Sequence, residues 1–134
     1  HSPKIGDIVL SRVGTYGVSA IVNTNEPFCL GQNTVFVIPK IDSNYFYYFL
    51  NSSHTKEQLD KMVAGTTQPT ISLKSIKDVF VPIPSVKEQK QIVQNLDAIL
   101  TETKKLEAIY QQKVEDLEEL KKTVLQKAFN GELT

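Results

Sequence analysis

One cysteine, Cys29, is all the chain carries. No intrachain disulfide can form, and a reduced, cytoplasmic setting is the plain expectation. An excess of either charge is also missing: fifteen Lys and Arg balance fifteen Asp and Glu over 134 residues. The balance is even along the chain, with seven basic against six acidic side chains in residues 1–84 and eight against nine beyond. Nucleic-acid binding, if present, must therefore come from locally placed groups and not from bulk charge. No apolar run approaches the length that spans a bilayer, and no signal-peptide pattern is visible, so a membrane role is not expected. The two histidines, His1 and His54, have no Asp, Cys or Glu at ligand spacing, and His54 falls in a polar stretch between two predicted helices, so both read as surface residues and no metal site is expected. Gly14-x-x-Gly17 lacks the third glycine and the following helix that a dinucleotide site needs, and no phosphate-binding lysine loop is present. The chain opens on His1-Ser2 without a Met and enters a strand almost at once, which predicts that an N-terminal portion of the domain is missing.

What is present is dominated by Ser85 to Asn130, a stretch with no Pro or Gly. Its apolar residues recur at alternating gaps of four and three, through Ile92, Leu96, Ile99, Thr103, Leu106, Tyr110, Lys113, Leu117, Leu120 and Val124. Only Thr103 and Lys113 break the apolar pattern, which is that of a helix packing lengthwise on another helix. Glu and Lys crowd the opposite face. At about 1.5 Å per residue the helix would be on the order of 65–70 Å long, more than a small domain needs to cover its own core. A long surface helix folded over its own domain is the alternative. Ser85 and Glu88 have capping-box spacing, Pro82 and Pro84 bar the helix from running backwards, and Asn130-Gly131 suits a C-cap.

Upstream of the helix, residues 1–84 read as a compact, β-rich globule with two helices, giving an α+β chain with a short tail at 131–134. Ile5 to Arg12 is a predicted strand leading into the glycine-bracketed turn Gly14-Thr15-Tyr16-Gly17, and Val18 to Val22 is a second strand. Phe28 to Leu30 and Thr34 to Ile38 are further strands, with Cys29 expected to be a buried small hydrophobe and not a nucleophile. Helices are predicted after Ser43, with Tyr45, Phe46, Tyr48, Phe49 and Leu50 as the apolar face, and over Thr55 to Met62. Ile71 to Leu73 and Val79 to Ile83 are the last predicted strands.

Catalytic patterns are sparse. Asn25-Glu26-Pro27-Phe28 has the outline of the Asn-Pro-Pro-Phe/Tyr motif of DNA adenine methyltransferases, but Glu26 stands where the first proline belongs and the stretch reads as a turn. Recognition chemistry is better supplied. Arg12 with Thr15 and Tyr16, Gln32 with Asn33, and Thr66, Thr67 and Gln68 with Lys74 nearby form three polar groups. Arg can fork onto guanine, Gln and Asn onto adenine, and Lys and Tyr suit phosphate. The same residue types fill ordinary loops for backbone reasons, so composition leaves both readings open.

Four blocks in order resemble one family. Gly6-Asp7-Ile8-Val9-Leu10-Ser11-Arg12-Val13-Gly14-Thr15-Tyr16-Gly17 is similar to the glycine turn of type I restriction–modification specificity subunits. Gly65-Thr66-Thr67-Gln68-Pro69-Thr70-Ile71-Ser72 resembles the Gly-x-x-Gln stretch of their target-recognition domains. Val81-Pro82-Ile83-Pro84, Glu88-Gln89-x-x-Ile92-Val93 and Leu96-Asp97 resemble the junction with the spacer helix. Leu125-Gln126-Lys127-Ala128-Phe129-Asn130-Gly131-Glu132-Leu133 resembles the family's helix end.

The resemblance implies a non-catalytic subunit that reads one half of a bipartite site in double-stranded DNA. It implies methyltransferase subunits docked on it, a restriction subunit joining indirectly, and S-adenosylmethionine, Mg²⁺ and ATP held by those partners, with no cofactor in this chain. It also implies that two long helices pair antiparallel. Because this chain holds one, its apolar seam is expected to find a second copy, giving a homodimer through antiparallel helices with Ile92, Leu96, Ile99, Leu106, Tyr110, Leu117, Leu120 and Val124 as the pairing seam. Arg12, Thr15, Tyr16, Gln32, Asn33, Thr66, Thr67, Gln68 and Lys74 are the expected DNA face. The chain departs from the pattern in holding one recognition domain and one helix, so a fragment and a half-sized subunit are both open. Two rivals stand beside this reading: the recognition domain of a single-chain restriction–methylation enzyme, and a coiled-coil scaffold whose head binds protein.

Overall fold

The structure is a computed structural model and describes residues 3–63 and 67–132. The fold is α+β: the described residues form a three-stranded antiparallel sheet, three short helices and one long helix. By its internal contacts the chain divides into two compact units, His1–Val93 and Gln94–Thr134.

In the first unit, β1 (Ile8–Ser11) is the central strand, between β2 (Ser19–Ile21) and β3 (Thr34–Val37). Ile8 faces Ile21 on one side and Val37 on the other. Strand alternation sends Ile8 and Leu10 to the same face, and both are fully buried, each stabilising the fold by about 1.5–3 kcal/mol. The β1–β2 hairpin closes through Ser11 N–H to Val18 O (2.9 Å) and Gly17 N–H to Ser11 O (2.9 Å). Gly17 has φ +83°, and a Cβ there would lie 3.1 Å from Leu59 Cδ1, so both backbone sign and space require glycine.

Helix α1 (Ser43–Leu50) is capped by Asp42, whose carboxylate accepts from Asn44 and Tyr45 N–H, so the cap falls one residue before the expected Ser43. Of its predicted apolar face only Tyr45 and Leu50 are buried; Phe46, Tyr48 and Phe49 are half-buried. Helix α2 (Ser53–Asp60) begins two residues before expected because Ser52 caps it, and His54 therefore lies in the helix, exposed. The α1–α2 corner is tied at Phe49 O, which accepts from Ser52 Oγ (2.7 Å) and from the fully buried Thr55 Oγ1 (2.6 Å). Ile71, Leu59, Val22 and Val93 complete the core.

Four strand expectations need correction. Strand β1 starts at Ile8, not Ile5, because Gly6 takes φ +93° and turns the chain. Phe28 to Leu30 is irregular and Cys29 is exposed: no described strand pairs with this segment, and Phe28 instead meets Phe36 edge-on at 5.9 Å. Ile71 to Leu73 makes no strand. Thr70 forms a single bridge to Val13, and Ser72 caps a short helix, α3 (Leu73–Lys77). Val79 to Ile83 is also irregular, its backbone taken by side chains: Gln58 accepts from Phe80 N–H (2.8 Å) and donates to Phe80 O (3.1 Å), while Tyr45 Oη donates to Pro82 O (2.9 Å).

Helix α4 (Val86–Phe129) runs for 44 residues, about 66 Å. The capping box forms as spaced: Glu88 accepts from Ser85 N–H (2.8 Å) and Ser85 Oγ (2.7 Å). The helix ends in a Schellman motif, with Glu132 N–H to Lys127 O, Gly131 N–H to Ala128 O, and Gly131 at φ +75°. From Asp97 on, every described residue of α4 is exposed, including the seam positions Ile99, Leu106, Tyr110, Leu117, Leu120 and Val124. Ile92 is 38% exposed and Leu96 is half-buried. No described helix is long and apolar enough to cross a membrane.

Candidate nucleic-acid interface

Three of the polar groups singled out in the sequence meet around the segment that continues β1. Arg12 N–H donates to Asn33 O (2.8 Å), and Arg12 O accepts from Ile71 N–H (2.9 Å). Gly14 N–H donates to Pro69 O (3.1 Å), next to the Val13–Thr70 bridge. The glycine turn, the 31–34 turn and the 67–71 loop are thus laced together by backbone hydrogen bonds at one end of the sheet. Since the loops satisfy each other's backbone groups, their side chains carry no structural duty from that source.

Thr15, Gln32, Asn33, Thr67 and Gln68 are all exposed there. Gln32 and Asn33 occupy a tight turn closed by Thr34, whose N–H and Oγ1 both donate to Gly31 O. Arg12 is half-buried and donates through Nε to Ile71 O (3.1 Å), so the guanidinium is pinned with its remaining N–H groups in a fixed plane. Lys74 is exposed on α3, three residues beyond Ile71. Thr66 lies outside the described residues.

Tyr16 is held differently from its neighbours. Its hydroxyl donates to Asp60 Oδ1 (2.7 Å), and Lys56, which bridges the same carboxylate oxygen at 2.8 Å, sits 3.7 Å from the centre of the Tyr16 ring. Hydrogen bonding by Lys56, then Tyr16, holds the Asp60 carboxyl below its ordinary value, and Asp60 raises the Lys56 ammonium in return. Tyr16 is thereby attached to α2 and is half-buried, alongside a cleft of about 330 Å³ that includes Gly17, Asn51, Ser52 and Leu59. The Lys56–Asp60 spacing is legible as an ordinary helical ion pair; its reach to Tyr16, 44 residues earlier in the chain, has no local signal.

Gln89 entered the sequence reading only as part of the junction block, with no role of its own. It is almost fully buried, accepts from Asp42 N–H (3.0 Å) and donates to Pro84 O (2.8 Å). The Glu88-Gln89 pair therefore divides its work: Glu88 caps α4, and Gln89 fastens the start of α4 to the start of α1. Among the described residues no cluster of His, Cys, Asp and Glu could hold a metal ion.

The family model described as the type I restriction modification DNA specificity domain matches residues 2–116. The chain is 30% identical over 140 residues to the type I restriction enzyme MjaVIII specificity subunit of Methanocaldococcus jannaschii, covering 97% of this chain and 32% of that protein. It is 27% identical over 131 residues to the EcoBI specificity subunit of Escherichia coli, covering 96% of this chain and 28% of that one. A solved chain, from work on complex assembly and conformational transition of the type I R-M system, superposes with a TM-score of 0.82 at 26% identity, over 98% of this chain and 32% of its own length. The chain spans about a third of the length of the curated relatives it matches.

Proposed function

Since the chain belongs to the type I restriction modification DNA specificity family, we propose that it is a DNA-reading piece of a specificity subunit. In this reading the first unit recognises one half of a bipartite double-stranded site, and α4 pairs antiparallel with a second such helix. Methyltransferase subunits dock on the assembly and a restriction subunit joins through them, inside the cytoplasm. The chain itself is non-catalytic; S-adenosylmethionine, Mg²⁺ and ATP belong to the partners.

The observation that carries the DNA reading is the convergence of the three polar loops on Arg12, Val13 and Gly14, which gathers groups able to pair with base edges at one place. Thr15, Gln32, Asn33, Thr67 and Gln68 would meet bases or sugar-phosphate, Arg12 would present its free fork, Lys74 would meet phosphate, and Thr66 and Tyr16 would complete the face. Pairing through α4 is supported by its exposed apolar seam.

The test is to co-express the parent polypeptide with its methyltransferase subunits and map the modified bases across a genome. Exchanging Gln68 or Asn33 for Ala should change or abolish the methylated sequence while the protein stays folded. An unchanged methylation map in both variants would overturn this assignment in favour of a scaffold.

A further inference from the structure

The stretch that leads from α3 into α4 is tied down along its length, always by side chains. Gln58 Nε2 of α2 donates to Phe80 O (3.1 Å), and Gln58 Oε1 accepts from Phe80 N–H (2.8 Å). Tyr45 Oη of α1 donates to Pro82 O (2.9 Å), and Gln89 Nε2 of α4 to Pro84 O (2.8 Å). Every second carbonyl from Phe80 to Pro84 is thus held. The two prolines have fixed φ, and each restricts the residue before it, Val81 and Ile83, to extended conformations. A segment with so little freedom and so many ties is a strap and not a hinge.

Gln89 closes the strap. Its Oε1 accepts from Asp42 N–H (3.0 Å) at the cap of α1 while its Nε2 holds Pro84 O, and the residue is 2% exposed. Val93, one turn further on, is the other buried residue of α4 among those described. An apolar side chain at 89 would tolerate sliding and turning of the helix start against α1. An amide bonded on both sides does not, because each bond demands its own distance and direction.

We propose that Gln89 is a positioning residue for DNA modification, and that it sets which gap between the two half-sites is accepted. This rests on the reading of the first unit as a DNA-reading module carried on a spacer, and adds where the spacing is enforced. One added base pair moves a half-site by about 3.4 Å along the duplex and turns it by about 35°. Shared between two modules, the displacement is still about 1.7 Å at each. Bonds of 2.8 and 3.0 Å lengthened by that much lie outside hydrogen-bonding range. Between Val86 and Phe129 the helix has no Pro or Gly at which to bend instead. A site with the wrong gap therefore costs the ties of the strap, and without those ties the cost disappears.

The test is the methylation map of the parent polypeptide co-expressed with its methyltransferase subunits, read for the gap between half-sites. In Gln89→Met both half-site sequences should persist, while sites with a gap one base pair longer or shorter should gain about tenfold in methylation over the parent. Tyr45→Phe deletes only the hydroxyl tie to Pro82 O, should relax the gap in the same direction to a smaller extent, and decides the matter should Gln89→Met fail to fold, as judged by circular dichroism. A gap distribution equal to the parent's in the folded variant overturns the proposal. So does an even loss of methylation at every gap, which is what a purely structural role would give, and so does a change in the half-site sequences themselves. A parent map with no bipartite sequence overturns the DNA-reading assignment along with the proposal.

Discussion

Replacing Gln89 by Met isolates what the buried amide contributes. Methionine keeps the length and the apolar stem but removes both polar atoms, so Asp42 N–H loses its acceptor and Pro84 O its donor. An orphaned buried group costs about 1–3 kcal/mol. Asp42 and Pro84 are half-buried, so water recovers part of each bond and the lower half of the range applies, giving about 2–4 kcal/mol in total. With a urea m-value of about 1–2 kcal/mol/M for a unit of this size, the midpoint should drop by at least about 1 M. Unfolding is best followed by tyrosine emission, since the chain has five Tyr and no Trp, whereas far-ultraviolet dichroism mostly reports α4. Lys90→Met, at the exposed neighbouring position, is the control and should shift stability by less than about 0.5 kcal/mol. A second substitution sharpens the test. Gln89→Glu places a charged oxygen against Pro84 O; burial and that contact raise its carboxyl pKa in the folded state, so stability is lost as pH rises through the folded value and recovered when the protonated carboxyl can donate again. If Gln89→Met unfolds within about 0.5 kcal/mol of the parent, the amide is not the fastening described above.

Gly17→Ala should destabilise by about 2–3 kcal/mol in urea melts and Gly14→Ala by about 1 kcal/mol, since both have positive φ but only the first brings its new Cβ to 3.1 Å from Leu59. Ser85→Ala should cost about 1 kcal/mol. The Glu88 carboxyl is held below its ordinary value by the Ser85 hydroxyl and N–H, so its contribution is complete above about pH 4.5 and disappears as pH falls through the lower folded value; Glu88→Gln should abolish that acid sensitivity in amide exchange at the start of α4. Asp60→Ala, which removes the acceptor of the Tyr16 hydroxyl, should release Tyr16 from α2 and weaken DNA modification more than it lowers the melting temperature, measured side by side in the co-expressed complex. Because the charge is balanced, the chain alone should bind duplex DNA weakly and with a shallow salt dependence; nanomolar affinity with a steep slope in a salt titration would contradict this.

The parts of the fold that were legible are those whose physics is local. Ser85 and Glu88 satisfy each other across three residues, Asn130-Gly131 closes a Schellman turn, and the seam spacing needs only the helical repeat, so α4 came within one residue of its expected ends. The hairpin turn was legible for the same reason: Gly14 and Gly17 have positive φ. Failures cluster where distant side chains satisfy the backbone. Val79 to Ile83 has the composition of a strand, but Gln58 and Tyr45 take the hydrogen bonds a neighbouring strand would need. Cys29 was misread because apolar neighbours suggested burial, while no described strand pairs with that segment. At the candidate site, residue types marked the loops, but only long-range bonds reveal that Arg12 binds Ile71 and Tyr16 binds Asp60.

On the proposed reading, the arrangement of the loops bears on how far their side chains can change without unfolding them. A recognition surface that varies must be able to change side chains without unfolding, and that requires its backbone to be satisfied by something other than the varying groups. Here Arg12, Gly14, Thr34 and Ile71 supply backbone donors and Asn33, Pro69, Gly31 and Arg12 the backbone acceptors. Substitution at the exposed Gln32, Asn33, Thr67 or Gln68 leaves those bonds in place and should change stability by less than about 0.5 kcal/mol. Arg12 is the exception, because its Nε is one of the ties. If the cluster reads DNA as proposed, Gln32, Asn33, Thr67 and Gln68 can change without breaking the loops, whereas Arg12 is held by the fold, so any base it contacts should be shared among variants that keep this loop geometry.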